Sequence, residues 1–309
     1  MTRMIQAALG AAMLLGLGLI APANAQTRVF VAAQGSDSNA CTFAAFCRTF
    51  QHAHNIVAAG GEIDVLDPAG YGALTVGKAI SIQGHGFAGI SSASGDAVTI
   101  TAGATDKVNL RGLLLDGVGT GGTGIVFNSG GSLNIQDSSI RNFMTNGIMF
   151  QPTASSQLTV SQTLVSDLGN SALAIGIEPG GAAAATAVVD HVELDGGEFG
   201  FFVLGSNTTG SVNVTIADSV ISNYTSNGII GQSGSGATNV LVRNCIVSSN
   251  GTGITSVGPP AVVRVIGSTI TANGTGLSTL SSASLVSYGG NLVDGNQANG
   301  APTSTLPTK

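Results

Sequence analysis

The sequence predicts an all-β solenoid, a parallel β-helix, and three observations support this prediction. The chain of 309 residues has 46 glycines and no tryptophan, and only 8% of its residues are charged. Gly, Ser, Thr and Asn all weaken helices, so this composition favours short strands and tight turns. The second observation is a sequence repeat with spacings of 23 to 29 residues, and the third is an alternation of apolar residues inside each unit.

The repeat is clearest near the C-terminus, where VLVRNCIVSSNGTGITSV (240–257) and VRVIGSTITANGTGLSTL (263–280) nearly match. Each unit also has a second landmark, a small residue followed by an apolar one, such as Gly253-Ile254 and Gly276-Leu277. Units begin at positions 108, 133, 158, 187, 214, 240 and 263. A period between 20 and 50 residues indicates a repeat architecture.

The alternation decides which repeat architecture is expected. Leu133-x-Ile135 and Val214-x-Ile216 have the two-residue period of a strand with one buried face. No unit has a helical period, which excludes leucine-rich and helical arrays, and the units are too short for propeller blades of roughly 40 residues. Stacked coils about 4.8 Å apart would bury these apolar residues in one continuous core.

Residues 1–25 are predicted to be a secretory signal peptide. Arg3 precedes the apolar run AALGAAMLLGLGLIA, and Ala23-Asn24-Ala25 has the form of a cleavage site, so we expect cleavage before Gln26. A membrane anchor is the alternative, but the run is shorter than the roughly 20 apolar residues that a span needs. The mature protein is therefore expected to be secreted or periplasmic.

Residues 26–61 are predicted to form an N-terminal strand and a short capping helix. The helix is expected over residues 49–58, and Gly60-Gly61 would end it. Its apolar face would consist of Phe50, Ala53 and Val57. The open apolar end of a solenoid needs such a cap.

The opening VFVAAQGSDSNACTFAAFCRTFQHAHNIVAAGGEIDVLDPAGYGALTV, with the coils that follow it, resembles a known family. It is similar to the right-handed parallel β-helix proteins of the pectate-lyase superfamily, most closely their secreted bacterial β-helix repeat members. The resemblance covers roughly residues 28–296 and implies a right-handed β-helix over 62–296. Residues 297–309 have no periodicity and are predicted to be a flexible tail. It implies no single activity, since this fold carries lyases, hydrolases, epimerases, adhesins and proteins without known chemistry.

The cysteines suggest one cross-link. Cys41 and Cys47 lie six positions apart in an exported chain, where disulfides persist, so we expect a bridge between them rather than two free thiols. The pair alone lacks the four ligands of a structural metal site, and no metal site is predicted from it. Cys245 stands in a column of Ser, Thr and apolar residues and is expected to be a small buried thiol.

One coil concentrates titratable residues in a chain with few charges. DHVELD at 190–195 places two of its groups in columns with residues of neighbouring coils, His191 beside Asp218 and Asp190 in line with Arg243. Neighbours about one coil apart are close enough for proton transfer or ligand binding. The candidate catalytic residues are therefore Asp190, His191 and Asp218, and the candidate substrate-binding residues are Glu193, Asp195 and Arg243. The alternative is that these are turn carboxylates along a solvated edge.

Two further motifs are interpreted structurally. Gly84-His85-Gly86 matches one motif of polygalacturonase-type hydrolases, but the N-T-D, D-D and R-I-K motifs of that family do not occur here. A turn histidine between two permissive glycines is therefore the preferred interpretation. A recurring set of asparagines is likewise expected to be a structural turn ladder rather than a sugar site, and consists of Asn128, Asn142, Asn223, Asn250 and Asn273.

The predicted function follows from the surface. The net charge is −6 without a basic cluster, which disfavours nucleic acid and anionic membranes as partners. A long face rich in hydroxyls and amides fits an extended neutral or acidic polysaccharide. We predict a monomeric, secreted polysaccharide-binding protein without a cofactor, with calcium as the cation that the carboxylates allow. Whether it is also a lyase, hydrolase or epimerase stays open, and the alternative is a catalytically inactive envelope or surface scaffold.

Overall fold

The computed structural model describes residues 26–307, which form one continuous stack of parallel strands with a single helix. The predicted signal peptide lies outside the described residues. The helix α1 is Phe50–Ile56. The strands are β1 Gln26–Val31, β2 Val57–Val65, β3 Ala69–Gly70, β4 Leu74–Val76, β5 Ile80–Ser91, β6 Val98–Thr101, β7 Lys107–Ser129, β8 Ser132–Gln136, β9 Ser139–Phe150, β10 Ser156–Ser161, β11 Leu164–Ser166, β12 Leu173–Ile177, β13 Ala185–Asp190, β14 Glu193–Leu204, β15 Val212–Ala217, β16 Val220–Gln232, β17 Thr238–Arg243, β18 Ile246–Ser248, β19 Thr252–Val257, β20 Ala261–Ile266, β21 Thr269–Thr271, β22 Thr275–Leu280, β23 Ser284–Ser287, β24 Leu292–Val293 and β25 Ser304–Thr305.

The strands stack into a parallel β-helix of about nine turns with three faces, which confirms the predicted all-β solenoid. Face A is the stack of β1, β2, β8, β10, β13, β15, β17, β20 and β23 with the first residues of β5 and β7. Face B contains β11, β18, β21 and β24 with the first residues of β9, β14 and β16. Face C contains β4, β6, β12, β19 and β22 with the last residues of β7, β9, β14 and β16.

The core is built from columns of inward side chains, one residue from each coil. Along face A one such column is buried throughout, and its members are Ile63, Ile82, Leu110, Ile135, Val160, Val189, Ile216, Val242 and Val265. Burying each such side chain contributes roughly 1.5–3 kcal/mol to folding. The residues between them in each strand therefore point outward, as the alternation predicted.

A tight turn joins face A to face B in each coil. Its first residue has a left-handed backbone, with φ near 50° at Asp137, Gln162, His191, Asp218 and Asn244. The next residue points inward, and in most coils its hydroxyl donates to the carbonyl two residues earlier, as Ser219 does to Ala217 (2.6 Å). The buried Cys245 thiol occupies one place in this ladder, as expected for a small buried thiol.

The predicted asparagine ladder contains residues in two different environments, turns and the buried interior. Asn142 and Asn223 have a left-handed backbone, as turn asparagines do. Asn250 and Asn273 are buried instead and form a side-chain ladder, in which the Asn250 Nδ2 donates to the Asn273 Oδ1 (3.0 Å). The interpretation of these residues as structural agrees with both arrangements.

The N-terminal segment holds the predicted helix in a shorter form. The Thr49 hydroxyl caps α1 by accepting from His52 N, and the helix ends at Ile56 because Val57 is already extended. Phe50 is buried and packs against Tyr71, with ring centroids 5.2 Å apart. The Cys41–Cys47 disulfide is present as predicted. The closing of the solenoid end by this helix and the right-handed winding stay predictions.

Part of the predicted flexible tail pairs with the solenoid within the described residues, which end at 307. Ser304–Thr305 pairs with β23, and Thr303 N donates to the Leu285 carbonyl (2.7 Å). Ala298 forms a further parallel bridge to Thr275. The physical reason is that the last complete coil presents unpaired backbone groups at its edge, and the following segment satisfies part of them. Over residues 26–307 no helix is both long and apolar enough to span a membrane.

Candidate functional site

Polar side chains are concentrated along one edge of face A. The last outward residues of its strands form a column with Asp64, Gln83, Arg111, Gln136, Ser161, Asp190, Ala217 and Arg243. The turn residues beside this column are His85, Asp137, Gln162, His191, Asp218 and Asn244. The two sets together are termed the polar stripe, which runs parallel to the axis of the solenoid. The repeat places these residues in line because each coil ends its face A strand in the same turn.

The middle of the polar stripe contains four of the predicted site residues. The Asp190 carboxylate lies 2.8 Å from the His191 Nδ1, within the same coil. In the next coil the Arg243 guanidinium donates to the Asp218 Oδ2 (2.9 Å), and Asn244 donates to the Oδ1 (3.2 Å). The expected partnership of His191 with Asp218 is therefore corrected, because both Asp218 oxygens accept from side chains of the following coil.

The same pairing changes the expectation for Arg243. It does share a column with Asp190, with Ala217 between them, as the alignment predicted. However, its guanidinium is already engaged by Asp218, so it is not a free cation for a substrate carboxylate.

The other two predicted residues belong to face B. Glu193 points outward, as expected from alternation, and lines a shallow depression of about 370 Å³ with His191 and Asp218. Asp195 stands apart from this depression and accepts hydrogen bonds from Ser222 (3.2 Å) and Asn223. The structure thus brings together five of the six predicted residues and separates Asp195 from them.

A second ionic cluster lies at the N-terminal end of the stripe, and the sequence interpretation missed it. Asp64 is only 9% exposed, although it is on the outer side of its strand. Its Oδ2 accepts from the Arg28 Nη2 (2.6 Å) and its Oδ1 lies 2.7 Å from the His85 Nε2. Arg28 also pairs with Glu62 (3.0 Å). The Asp64 carboxylate is therefore buried and paired with two side chains, unlike a carboxylate that is freely solvated at the edge of the sheet.

The side chain of His85 borders a depression of about 410 Å³ beside this cluster. Its polar walls include Gln83, Arg111 and Asp137, and the Arg111 Nε donates to the Asp137 Oδ2 (3.0 Å). Glycine backbone forms part of the lining. Gly112 has φ +66°, and a Cβ there would lie 2.7 Å from the backbone nitrogen of His85. The close approach of the two backbones therefore requires glycine.

Aromatic rings extend the N-terminal end of the stripe. Phe30 pairs with Asp64 in the ladder, and its ring packs edge-on against Phe43 with centroids 5.5 Å apart. Phe43 is 69% exposed, on the loop closed by the disulfide. His85 in turn stacks on Phe87 (5.7 Å). Exposed aromatic faces beside hydrogen-bonding groups are suited to amphipathic ligands.

The sequence did contain a signal for this cluster. In Arg28-Val29-Phe30 and Glu62-Ile63-Asp64 the middle residue is apolar and points inward. The alternation of a strand therefore predicts that Arg28, Phe30, Glu62 and Asp64 point outward. The repeat units that share two sequence landmarks begin at residue 108, so these strands lie outside the aligned columns. A register shift between Gln83 and Ala88 also hides His85 from a simple alignment.

The His85–Asp64 pair has the geometry of an acid–base dyad. If the Nε2 carries the proton and donates it to the carboxylate, the Nδ1 keeps a lone pair that can accept a proton. Metal binding by the stripe has less support. Over residues 26–307 no group of three or more Asp, Glu or His side chains gathers its ligand atoms within 4.8 Å. Calcium stays a prediction.

Comparison with known proteins gives the fold but no closer relative. No protein-family description matches the chain, and no curated protein matches its sequence. Among solved structures, pectate lyase Pel9A superposes with a TM-score of 0.57 at 15% identity, over 90% of this chain and 79% of its own. The A-module of mannuronan C-5 epimerase AlgE4 from Azotobacter vinelandii gives a TM-score of 0.41 at 12% identity, over 81% of this chain and 91% of its own. The protein therefore shares the parallel β-helix fold of pectate lyase.

Proposed function

We propose that the protein binds an extended polysaccharide along the polar stripe of face A. The observation that carries the proposal is the continuous line of hydrogen-bonding side chains, which spans the coils from Asp64 to Arg243. Successive coils repeat every 4.7–4.9 Å, so a linear polymer meets similar groups at regular intervals. The similarity to pectate lyase supports a polysaccharide ligand at the level of fold analogy.

The charges of the stripe favour a neutral polysaccharide. The two guanidiniums on it and that of Arg28 beside it are each paired with a carboxylate, in Arg28–Asp64, Arg111–Asp137 and Arg243–Asp218, whereas Arg264 in the following coil donates to Asn239. Counting Glu62 and Asp190, carboxylates outnumber guanidiniums there. A polyanion would meet no free cation along this line, whereas hydroxyl groups can donate to the carboxylates and accept from the guanidiniums.

The ionic cluster of Asp64 and His85 at the N-terminal end of the stripe supports a second activity, modification of the bound polysaccharide. The His85–Asp64 pair borders a depression with Arg111, which combines a candidate base with a positive charge. In this role His85 Nδ1 would take a proton from the bound sugar or from water, and Asp64 would stabilise the imidazolium. The sequence left lyase, hydrolase and epimerase open, and hydrolysis is the class that fits a neutral polysaccharide, because a lyase or C-5 epimerase removes a proton next to a carboxyl group that a neutral sugar lacks.

Affinity electrophoresis tests the binding proposal. The protein without residues 1–25 is run in native gels cast with neutral polysaccharides (xylan, glucomannan, dextran) or anionic ones (polygalacturonate, alginate). Retardation by at least one neutral polysaccharide is expected. It should persist in about 0.5 M salt, because salt screens attraction between exposed charges and a neutral polysaccharide does not bind through such attraction. Retardation only by anionic gels would contradict the neutral assignment, and none at all would favour the inactive scaffold.

The second activity is tested with the polysaccharide that binds. New reducing ends, or new ring-proton signals in its NMR spectrum, should appear with the wild-type protein and not with His85→Ala. His191→Ala is the matched control, because it removes the other histidine that pairs with an aspartate on the stripe. Turnover that survives His85→Ala unchanged would exclude His85 as the base.

A further inference from the structure

Four potential metal ligands meet in the loop between β1 and α1. The Sγ atoms of Cys41 and Cys47 and a ring nitrogen of His52 lie within 4.8 Å of one another. The backbone carbonyl oxygen of Asn39 lies 3.4 Å from the Cys47 Sγ and 3.3 Å from the His52 Nε2. Two sulfurs, one imidazole nitrogen and one carbonyl oxygen thus lie close together in this loop.

These separations resemble the edges of a tetrahedral coordination shell. With Zn–S near 2.3 Å and Zn–N and Zn–O near 2.0–2.2 Å, neighbouring ligand atoms in a tetrahedron lie about 3.3–3.8 Å apart. The two contacts of the Asn39 oxygen already have such lengths. The two sulfur atoms must separate from their bonded distance, and loss of the bond between them lets them do so by rotation about the side chains.

The loop holds its ligands in place through contacts that do not depend on the disulfide. Phe30 N donates to the Cys41 carbonyl (2.8 Å), and Cys47 N donates to the Phe30 carbonyl (3.0 Å). The carboxylate of Asp37 accepts from Arg48 N (2.9 Å) and fixes the start of the helix that carries His52. Reduction of the bridge therefore leaves a preorganised ligand set, which lowers the cost of binding a metal.

We propose that this loop binds one Zn²⁺ ion when the disulfide is reduced, with Cys41, Cys47, His52 and the Asn39 carbonyl as ligands. A dithiol reductant supplies two electrons and two protons, which convert the disulfide into two thiols and leave the reductant as its own disulfide. The metal then displaces both thiol protons, and two thiolates with a neutral imidazole remain. The ion and the disulfide are alternative cross-links of the same loop, and either one holds Phe43 beside Phe30.

Cobalt titration tests the proposal, because Co²⁺ occupies zinc sites and reports thiolate ligands by its absorption. The protein is reduced until two thiols per folded chain react with Ellman's reagent, and a third, the buried Cys245, reacts only in a denatured aliquot; it is then titrated under argon. We expect one Co²⁺ per chain, with thiolate charge-transfer bands in the near ultraviolet and visible bands typical of tetrahedral cobalt. Zn²⁺ should displace it, and the oxidised protein should bind none.

Three variants separate this site from non-specific thiol binding. His52→Ala, purified with its disulfide intact and then reduced, should bind at least about tenfold more weakly. Cys41→Ser should lose the charge-transfer bands, and Cys245→Ser should keep them, since that buried thiol lies outside the loop. Absence of cobalt binding in the reduced wild-type protein would overturn the proposal, as would binding that His52→Ala and Cys41→Ser leave unchanged.

Discussion

Replacement of Asn273 by alanine should destabilise the solenoid strongly, although the change removes only a small polar side chain. Asn273 is 1% exposed. Its Oδ1 accepts from the backbone and side-chain nitrogens of Asn250 (2.9 and 3.0 Å). Its Nδ2 donates to the carbonyls of Val247 and Thr271 and to the Asn296 Oδ1, at 2.9–3.0 Å.

The magnitude follows from the groups that lose their partners. The buried N–H of Asn250 and the carbonyl of Val247 both lose a hydrogen bond, and each unsatisfied buried group costs about 1–3 kcal/mol. Partial relaxation and entry of water reduce the sum, so we expect a loss of about 3 kcal/mol in the free energy of unfolding. This would place Asn273→Ala among the more severe single substitutions.

Chemical denaturation followed by circular dichroism measures this loss. The matched control is Asn134→Ala, which truncates an asparagine on the outer side of face A and should change the stability by less than about 0.5 kcal/mol. Equal and small effects of the two substitutions would refute the assignment of the buried ladder as a stabilising network.

Three further predictions concern other parts of the molecule. Burial opposes ionisation of Asp37, but hydrogen bonds from Thr49 and Arg48 and the nearby His52 outweigh it and lower its pKa. The stability that Asp37→Asn removes should therefore be constant near neutral pH and vanish as the pH falls below 3.8 through the lowered folded pKa, which an acid titration of the unfolding free energy checks. Burial raises the pKa of the Cys245 thiol to about 11, so iodoacetamide at pH 8 should leave it unlabelled in the folded protein by mass spectrometry, and rapid labelling would contradict its burial. Gly112→Ala should cost about 1–3 kcal/mol through its left-handed backbone and weaken glycan binding at the His85 depression, whereas Gly77→Ala, with open space around its Cβ, should do neither.

The fold could be predicted because its determinants are local and repeated. The alternation at Leu133 and Ile135 recurs in every coil, and stacking turns it into a buried column. The C-terminal segment could not be predicted in this way. It has no periodic pattern of its own, and its pairing at Ser304–Thr305 depends on the exposed edge that β23 offers.

The candidate site could be predicted only to the level of columns. The alignment placed Asp190 and Arg243 correctly, but the direction of a side chain depends on the turn beside it. His191 and Asp218 both have a left-handed backbone, and this geometry turns each toward a partner other than the one expected. The His85–Asp64 pair joins residues 21 positions apart across a register shift, which a period of 23 to 29 residues does not reveal.

The central claim, that the polar stripe of face A binds polysaccharide, is tested most directly by comparing Arg243→Ala with Arg141→Ala. Both remove an exposed arginine that pairs with an aspartate, at 2.9 Å to Asp218 on the stripe and at 3.0 Å to Asp116 on face B. Exposed pairs of this kind contribute only about 0–1 kcal/mol to folding, so both variants should remain folded. The dissociation constant for the neutral polysaccharide that the wild-type protein binds should rise about tenfold in Arg243→Ala, the equivalent of one charge-assisted hydrogen bond, and stay within about twofold in Arg141→Ala. Equal affinities of the two variants, or a larger loss in Arg141→Ala, would contradict the assignment of the stripe.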